Sequence, residues 1–449
     1  MANVTQKFYQ PQDASIDKLV LNTAAGSIDL KYLMVELSYF EDIYSFVVSG
    51  YILVRDGVGL VEKFQLSGKE TLELSFGKFS DPTRKTQTFR VYSIPDRNPV
   101  AMTSEFIKLH FCSEELFLSE QTKILKAYGG NMISDIIKDI LNKIKVPTDK
   151  INQIENTTGL YDFNIPTLKP FDAISWLSTY ARPAGNDLVG ADMLFYETKE
   201  GFNFRSLNSL YKQNIHNTYK YEQQNLPSSE ASMEDDVVSV LDYEFVRTFD
   251  NLNDVSSGAF ANRLITIDPL TRSRNVKDFD YSQYRGNRMN DGTLSNDVQN
   301  RLGKKQNQTY EGTLKLMVGN SNQRNTGYIS PSALPAGSIA KDIFAETFVP
   351  NRTAQLALAN HTVIKIRIPG DPFITAGKTV QFNLLSLFGG KDRTYDEMYS
   401  GKYLVSAVRH VVQSQGVFQT VLELVKESTP EQASPTLYND GISISGTVA

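Results

Sequence analysis

One cysteine, one tryptophan and four histidines in 449 residues leave little material for redox or metal chemistry. A single sulfur, Cys112, can close no intrachain disulfide and build no thiolate cluster, and its alternating apolar neighbours predict a buried, inert thiol. The histidines, at positions 110, 216, 361 and 410, form no i, i+4 pair, so no zinc site is expected. No run approaches the ~18 apolar residues of a membrane-spanning helix. Even Tyr44 to Val54 is broken by Ser and Gly and stopped by Arg55, and the N-terminus has no apolar core of a secretory signal. Positive charge is not in excess either: 46 Lys and Arg stand against 51 Asp and Glu, for a net charge of −5. Such a chain does not attract nucleic acid as a whole. Nucleophile-elbow, Walker and Rossmann glycine patterns are missing, and neither a cofactor nor a metal is expected.

What is present is β-forming sequence at a length that suggests about three domains, or two domains carrying large insertions. Ser27 to Leu37, Ser45 to Arg55, Thr71 to Phe76, Thr88 to Ile94 and Glu105 to Phe111 read as strands, the last two separated by a turn over Pro95 to Pro99. In Thr71 to Phe76 the period-two alternation puts Leu72, Leu74 and Phe76 on one face. After Ser113 the period changes. Ser119 opens a helical stretch, and Ile133, Ile136, Ile137, Ile140, Leu141 and Ile144 share one helical face that Pro147 ends. Phe171 to Tyr180 predicts a short helix behind Pro170, and Asp192 to Tyr196 with Phe202 to Ser206 predicts a hairpin turning at Glu200-Gly201. Strands resume at Val237 to Phe249 and Gly258 to Asp268. Asn275 to Gln308, poor in apolar residues, reads as irregular or partly helical, and Ala354 to Asn360 as a short helix. Thr362 to Ile368, Thr379 to Leu385, Tyr403 to Val412 and Phe418 to Val425 are strands again.

The fold class expected is therefore α+β, predominantly antiparallel β, with two similar β-barrel domains carrying α/β insertions. The expected domains are a first barrel over 1–112, an α+β insertion over 113–235, and a second barrel split between 236–274 and 355–427. A partly irregular insertion over 275–354 and a tail over 428–449 complete the chain. The order of the two β regions suggests duplication. Ser49 to Asp56 is matched with Ser257 to Asp268, and Thr71 to Phe76 with Thr362 to Ile368. Phe89 to Ile94 and Glu105 to Phe111 are matched with Tyr403 to Val408 and Phe418 to Val425.

Few residues invite a chemical role. Glu234-Asp235-Asp236 and Asp278-Phe279-Asp280 are carboxylate clusters, but they lack the glycine and spacing of a calcium loop and read as solvated loops. Trp176 lies on an amphipathic segment and reads as core. Gly370 and Gly377 read as turn residues with positive φ. The glycine-hinged loop Phe388 to Tyr395, with Lys391, Asp392, Arg393 and Tyr395, is the candidate interface. It reads either as a plain surface loop or as a projection that touches a neighbouring ring.

Three stretches carry a family resemblance: Lys169-Pro170-Phe171-Asp172-Ala173-Ile174-Ser175-Trp176-Leu177, the run from Ile366 through Pro369-Gly370-Asp371 to Gly377, and Gly401 to Val405 with Val408-Arg409-His410. With the order of modules, they resemble the central hub protein of contractile phage tail baseplates, to which the hub portion of type VI secretion spike proteins is similar. The resemblance implies a structural, non-enzymatic virion protein assembled in the host cytoplasm. It implies a homotrimer whose six tube-type barrels join the hexameric tail tube ring to a trimeric central spike. Baseplate wedge or tape-measure proteins are further partners it allows. DNA would pass through the lumen at genome ejection without specific binding, and no membrane insertion is implied. A tail-associated peptidoglycan hydrolase and a receptor-binding tail protein are the competing readings.

Overall fold

The computed structural model describes residues 14–78, 84–101, 104–184, 192–221, 238–248, 250–268, 272–280, 289, 314–318, 345–386, 395–396 and 398–427. The chain is mainly antiparallel β with helices between strands, the α+β class. The first region holds β1 (Ser15–Thr23), β2 (Gly26–Asp29), β3 (Met34–Asp42), β4 (Ser49–Asp56), α1 (Leu60–Phe64), β5 (Thr71–Gly77), β6 (Gln87–Ser93), β7 (Arg97–Ala101) and β8 (Ser104–Ser113). Next come α2 (Glu114–Gln121), β9 (Ile124–Asn131), α3 (Ile133–Lys143), β10 (Ile151–Ile154), β11 (Thr157–Thr158), β12 (Tyr161–Leu168) and α4 (Pro170–Ser178). β13 (Arg182–Pro183), β14 (Met193–Thr198), β15 (Gly201–Ser206), α5 (Leu207–Tyr211) and β16 (Ile215–Tyr221) follow. The last part contains β17 (Asp242–Arg247), α6 (Asn251–Ser257), β18 (Ala261–Asp268), β19 (Ser273–Asp280), β20 (Leu314–Val318) and α7 (Ala345–Leu358). β21 (Thr362–Pro369), β22 (Thr379–Leu384), β23 (Gly401–Gln413) and β24 (Phe418–Lys426) close it.

Fourteen strands join in one sheet whose main path runs β17-β21-β24-β23-β3-β4-β8-β6-β5-β1-β2. Among the described residues this path stays open, so the expected pair of closed barrels gives way to one continuous ladder. The physical reason lies at its middle. β23 is 13 residues long; its first residues pair with β22, and Ala407 to Gln413 then pair with Asp42 to Glu36 of β3, welding the two β regions edge to edge. The strand order within each region is the same: β3-β4-β8-β6-β5 in the first, β17-β21-β24-β23-β22 in the second, with every pairing antiparallel.

Several sequence expectations need correction. Ser27 to Leu37 is not one strand. Leu33 and Met34 donate their N–H groups to Leu30 O, and this turn around a fully buried Leu30 divides β2 from β3. Part of the Pro95 to Pro99 turn is itself strand, because β7 continues along β8 beyond β6. Gly258 to Asp268 does not enter the main sheet; β18 pairs with β19 and β20 in a separate three-stranded sheet, so the match of Ser49 to Asp56 with Ser257 to Asp268 fails on strand pairing. Asn275 to Gln308 begins inside β19 rather than as irregular chain, and Asp278 to Asp280 is strand rather than loop. The helix expected from Ala354 starts earlier, at Ala345.

The segment between the β regions packs its own core. Ile133, Ile136, Ile137, Ile140 and Leu141 of α3 are buried, as the period-3.6 spacing requires. Pro170 opens α4 at its first turn, where a missing N–H costs nothing. Trp176 is half-buried and packs at the margin of this core against Phe163 and Tyr180, with ring centroids 5.4 and 5.9 Å away. β14 and β15 form the expected hairpin. β16 leaves this segment and pairs in parallel with β22 of the main sheet.

Candidate assembly interface

The run from Pro369 to Gly377 links β21 to β22, and its residues hold three parts of the chain together. Gly370 N–H donates to Phe418 O at 2.8 Å, Asp371 N–H to Thr420 Oγ1 at 3.1 Å, and Gly377 N–H to Val405 O at 2.8 Å. Asp371 also accepts from the Tyr219 hydroxyl at 3.0 Å. The two glycines serve different needs. Gly377 has φ +86°, as expected of a turn glycine, and a Cβ there would lie 2.4 Å from the Tyr196 hydroxyl. Gly370 is absent from the positive-φ residues; it is required because a Cβ would lie 2.2 Å from the Phe418 ring.

Glu41 is the keystone of this junction. It stands at an inward position of β3, after Leu37 and Tyr39, and is 1% exposed. One carboxylate oxygen accepts Lys199 N–H, in the turn of the β14–β15 hairpin, at 2.6 Å; the other accepts Ala376 N–H at 2.9 Å. One side chain thus satisfies backbone donors from the middle segment and from the second β region. Glu197, in β14, accepts Val48 N–H at 2.9 Å and the Ser113 hydroxyl at 2.5 Å. Burial raises both carboxyls to about 7 against the pull of these hydrogen bonds. They stabilise the junction as acceptors, Glu41 through both carboxylate oxygens and Glu197 through Oε2.

The opposite face of the same ladder is open. Alternation places Asp242 and Glu244 of β17, Lys365 and Arg367 of β21, and Glu423 of β24 on the face away from the core. Arg409 of β23, Glu36 and Phe40 of β3, Tyr51 of β4 and Lys108 of β8 continue it. Charges on this face pair with each other: Arg367 with Asp242 at 3.8 Å, Lys365 with Glu423 at 4.0 Å, and Arg409 with Glu36 at 3.3 Å. Arg409 bridges the joint between the two regions, bonding also to Ser38 Oγ and the Tyr51 hydroxyl at 3.1 and 2.9 Å. Lys108 Nζ lies 4.2 Å from the centroid of the Tyr51 ring. The result is a mosaic of both signs with no single-sign field for phosphate to follow.

Lys391, Asp392 and Arg393 lie outside the described residues, as do Glu234 to Asp236 and the tail from 428. Tyr395 is described: it is 38% exposed and forms an isolated bridge to Leu385, away from the joint. Cys112 is buried and its thiol is pushed up to about 12 by burial, the inert state expected. His410 is buried among Tyr39, Phe76 and Phe418 and held down to about 3 by burial, while its Nδ1 lies 3.0 Å from Thr420 Oγ1. Asp278 pairs with Arg263. Among the described residues no three His, Cys, Asp or Glu gather as metal ligands, and no helix is long and apolar enough to cross a membrane. Sequence reasoning missed Glu41 and Glu197. The signal was available for Glu41, since a carboxylate at an inward step of an alternating strand must find buried donors.

No family model matches the chain. The probable baseplate hub protein of Vibrio phage KVP40 is 23% identical over 394 residues, covering 85% of this chain and 87% of that one. Among solved structures, the prophage MuSo2 43 kDa tail protein from Shewanella oneidensis aligns with a TM-score of 0.52 at 8% identity, over 91% of this chain and 98% of that one. A tail protein from Neisseria meningitidis MC58 gives 0.51 at 10% identity, over 91% and 96%. The chain is thus similar over most of its length to a phage baseplate hub protein, and its fold is that of phage tail proteins.

Proposed function

We propose that this chain is a structural hub subunit of a contractile phage tail baseplate, acting by assembly and not by catalysis. In this reading two tube-type β units in each chain let a homotrimer present six units around an axis, meeting the hexameric tail tube ring on one side and the trimeric central spike on the other. Wedge or tape-measure proteins would engage the insertions. DNA would cross the lumen at ejection, along the open face of the ladder.

The observation that carries the reading is the recurrence of strand order with its register. Glu36 faces Leu53 as Asp242 faces Arg367, and Ser38 faces Tyr51 as Glu244 faces Lys365. Tyr51 faces His110 as Lys365 faces Glu423. Thr71 faces Arg90 as Thr379 faces Leu404. One irregular step recurs as well, between Val91 and Ser93 and between Val405 and Ala407, whereas the slips at Met34 to Glu36 of β3 and at Phe245 to Arg247 of β17 fall at different places. Unrelated β regions share a strand order by chance far more easily than a shared slip. The mosaic of paired charges on the open face supports a conduit wall, which must let a polyanion slide without holding it. The similarity to the KVP40 hub protein supports the place in the virion.

The test is the mass and symmetry of the purified chain. A particle of three chains whose rotational average is threefold with six inner lobes is expected. A single-chain mass at micromolar concentration, with or without spike protein, refutes the reading. The loop with Lys391, Asp392, Arg393 and Tyr395 is proposed to reach along the axis to a neighbouring ring.

A further inference from the structure

The joint inside one chain is a template for the joint between chains. β23 runs past the end of β22, and Ala407 to Gln413 take β3 as their partner on that edge. By register, β6 and β7 together stand where β23 stands: both pair along a full strand (β8 or β24) on one edge, and both have only a short partner (β5 or β22) on the other. The β5 side reaches as far as Val91, whose N–H donates to Glu70 O; beyond it the arm from Tyr92 to Val100 has no strand on that second edge among the described residues. β17 stands where β3 stands, and its edge away from β21 likewise has no strand among the described residues. Among the described residues the chain therefore carries one completed joint and two unmatched halves of a second.

We infer that β17 of one copy adds antiparallel to the β6–β7 arm of the next, in the register by which β3 adds to β23. The inference rests on the trimer reading and names its interface. Asp96 O accepts Lys108 N–H, so alternation turns the main-chain groups of Arg97 and Pro99 outward, toward the incoming strand. His410 faces Thr420 where Arg97 faces Ile107, and Thr420 faces Ile368 where Ile107 faces Val54. Transferring the in-chain pairs His410–Tyr39, Val411–Ser38 and Val412–Leu37 then sets Arg97 opposite Phe245, Asn98 opposite Glu244 and Pro99 opposite Tyr243. Pro99 offers no N–H, so one rung is lost, a feature that also discourages indiscriminate pairing of a free edge. Exposure agrees with the assignment. Tyr92 and Val100 on the arm are 49% and 52% exposed and Val246 on β17 is 49% exposed, whereas Val408, His410 and Val412 at the in-chain joint are buried. Because edge and arm are different surfaces, the contact is heterologous and propagates around a ring rather than pairing two copies face to face. Three copies then hold three joints of each kind.

The test is a disulfide across the inferred pair. Directly opposed residues in antiparallel strands lie within disulfide reach, about 4.5–5.5 Å between Cα atoms. The native Cys112 is buried and does not compete. Full-length protein carrying Asn98→Cys and Glu244→Cys, both at exposed positions, is weighed in solution, then oxidised and run under denaturing, non-reducing conditions. Conversion to a covalent three-chain species is expected, with neither single variant forming it. A three-chain mass before oxidation with no cross-link overturns the joint and leaves the trimer reading standing. A cross-linked species that stops at two chains overturns the joint as a ring contact. A single-chain mass with no cross-link overturns both.

Discussion

Replacing Gly370 by alanine separates packing from backbone strain, because this glycine does not occupy the positive-φ region. The new methyl would sit 2.2 Å from two atoms of the Phe418 ring and 2.8 Å from its Cβ. Reaching an ordinary 3.4 Å contact requires the ring and the loop to part by about 1.2 Å. The ring has nowhere to go. Phe418 is fully buried, with His410 and Phe76 at centroid distances of 5.6 and 6.0 Å. The loop is tied by the bond from Gly370 N–H to Phe418 O at 2.8 Å, the first rung after β21. Overpacking a tight core costs about 1–3 kcal/mol, and a stretched rung adds about 0.5–1.5 kcal/mol, so Gly370→Ala should cost about 2–4 kcal/mol.

Urea unfolding of the full chain, followed by far-ultraviolet circular dichroism across the transition of the main sheet, measures this. Phe418→Leu supplies the second arm of a cycle. Its own cost should be about 1–2 kcal/mol, and the double variant should recover at least ~1 kcal/mol relative to the sum, since the smaller side chain makes room for the methyl. A Gly370→Ala cost below about 0.5 kcal/mol, or strict additivity with Phe418→Leu, would refute the close approach.

Two further outcomes follow from the same junction and from the candidate loop. Glu41 is raised from 4.5 to about 7 by burial, so the folded state holds its proton more tightly than the unfolded chain. The stability linked to that proton is complete below about pH 4.5 and is lost as pH rises through about 7; the span is about 3 kcal/mol. Denaturant titrations at pH 5 and pH 8.5 should therefore find Glu41→Gln more costly at the lower pH, and a pH-independent difference would be contrary. Exchanging Lys391, Asp392 and Arg393 for Gly-Ser should weaken tail assembly while the isolated oligomer keeps its mass; assembly at the wild-type level would remove the loop from the interface.

Where period alone decides structure, the sequence was legible. The alternation of Thr71 to Phe76, the isoleucine stripe of α3, the hairpin at Glu200-Gly201 and the last four strands appear with bounds shifted by at most two residues. Edges were not legible. Nothing in the run from Val35 to Asp42 announces that β3 pairs with a strand more than 360 residues away, because hydrogen bonding along an edge is a main-chain property that side chains do not encode. Glycine roles were half legible for a similar reason. Gly377 has the expected positive φ, but the need for Gly370 depends on Phe418, 48 residues on, which no local turn rule contains.

The correspondence between the two β regions shows why the strands matched from sequence were only partly the strands that correspond in register. Phe89 to Ile94 and Glu105 to Phe111 hold the ranks in the ladder that Tyr403 to Val408 and Phe418 onward hold. Ser49 to Asp56, by contrast, corresponds to the strand from Val363, and Thr71 to Phe76 to the strand from Thr379. In register Gly50 answers to Ile364 and Tyr51 to Lys365, pairs with no chemistry in common. What the two strands share is the order of buried and outward positions: Gly50, Ile52 and Val54 face inward, as do Ile364, Ile366 and Ile368. Selection on a ladder acts on which face a side chain takes and on where the ladder slips, because a one-residue shift would turn every side chain to the wrong face. Residue identity can drift under that constraint more freely than register. A duplication old enough to erase identity would therefore remain readable in paired residues and shared bulges, and the unmatched edges it leaves are where a second copy of the chain would complete the pattern.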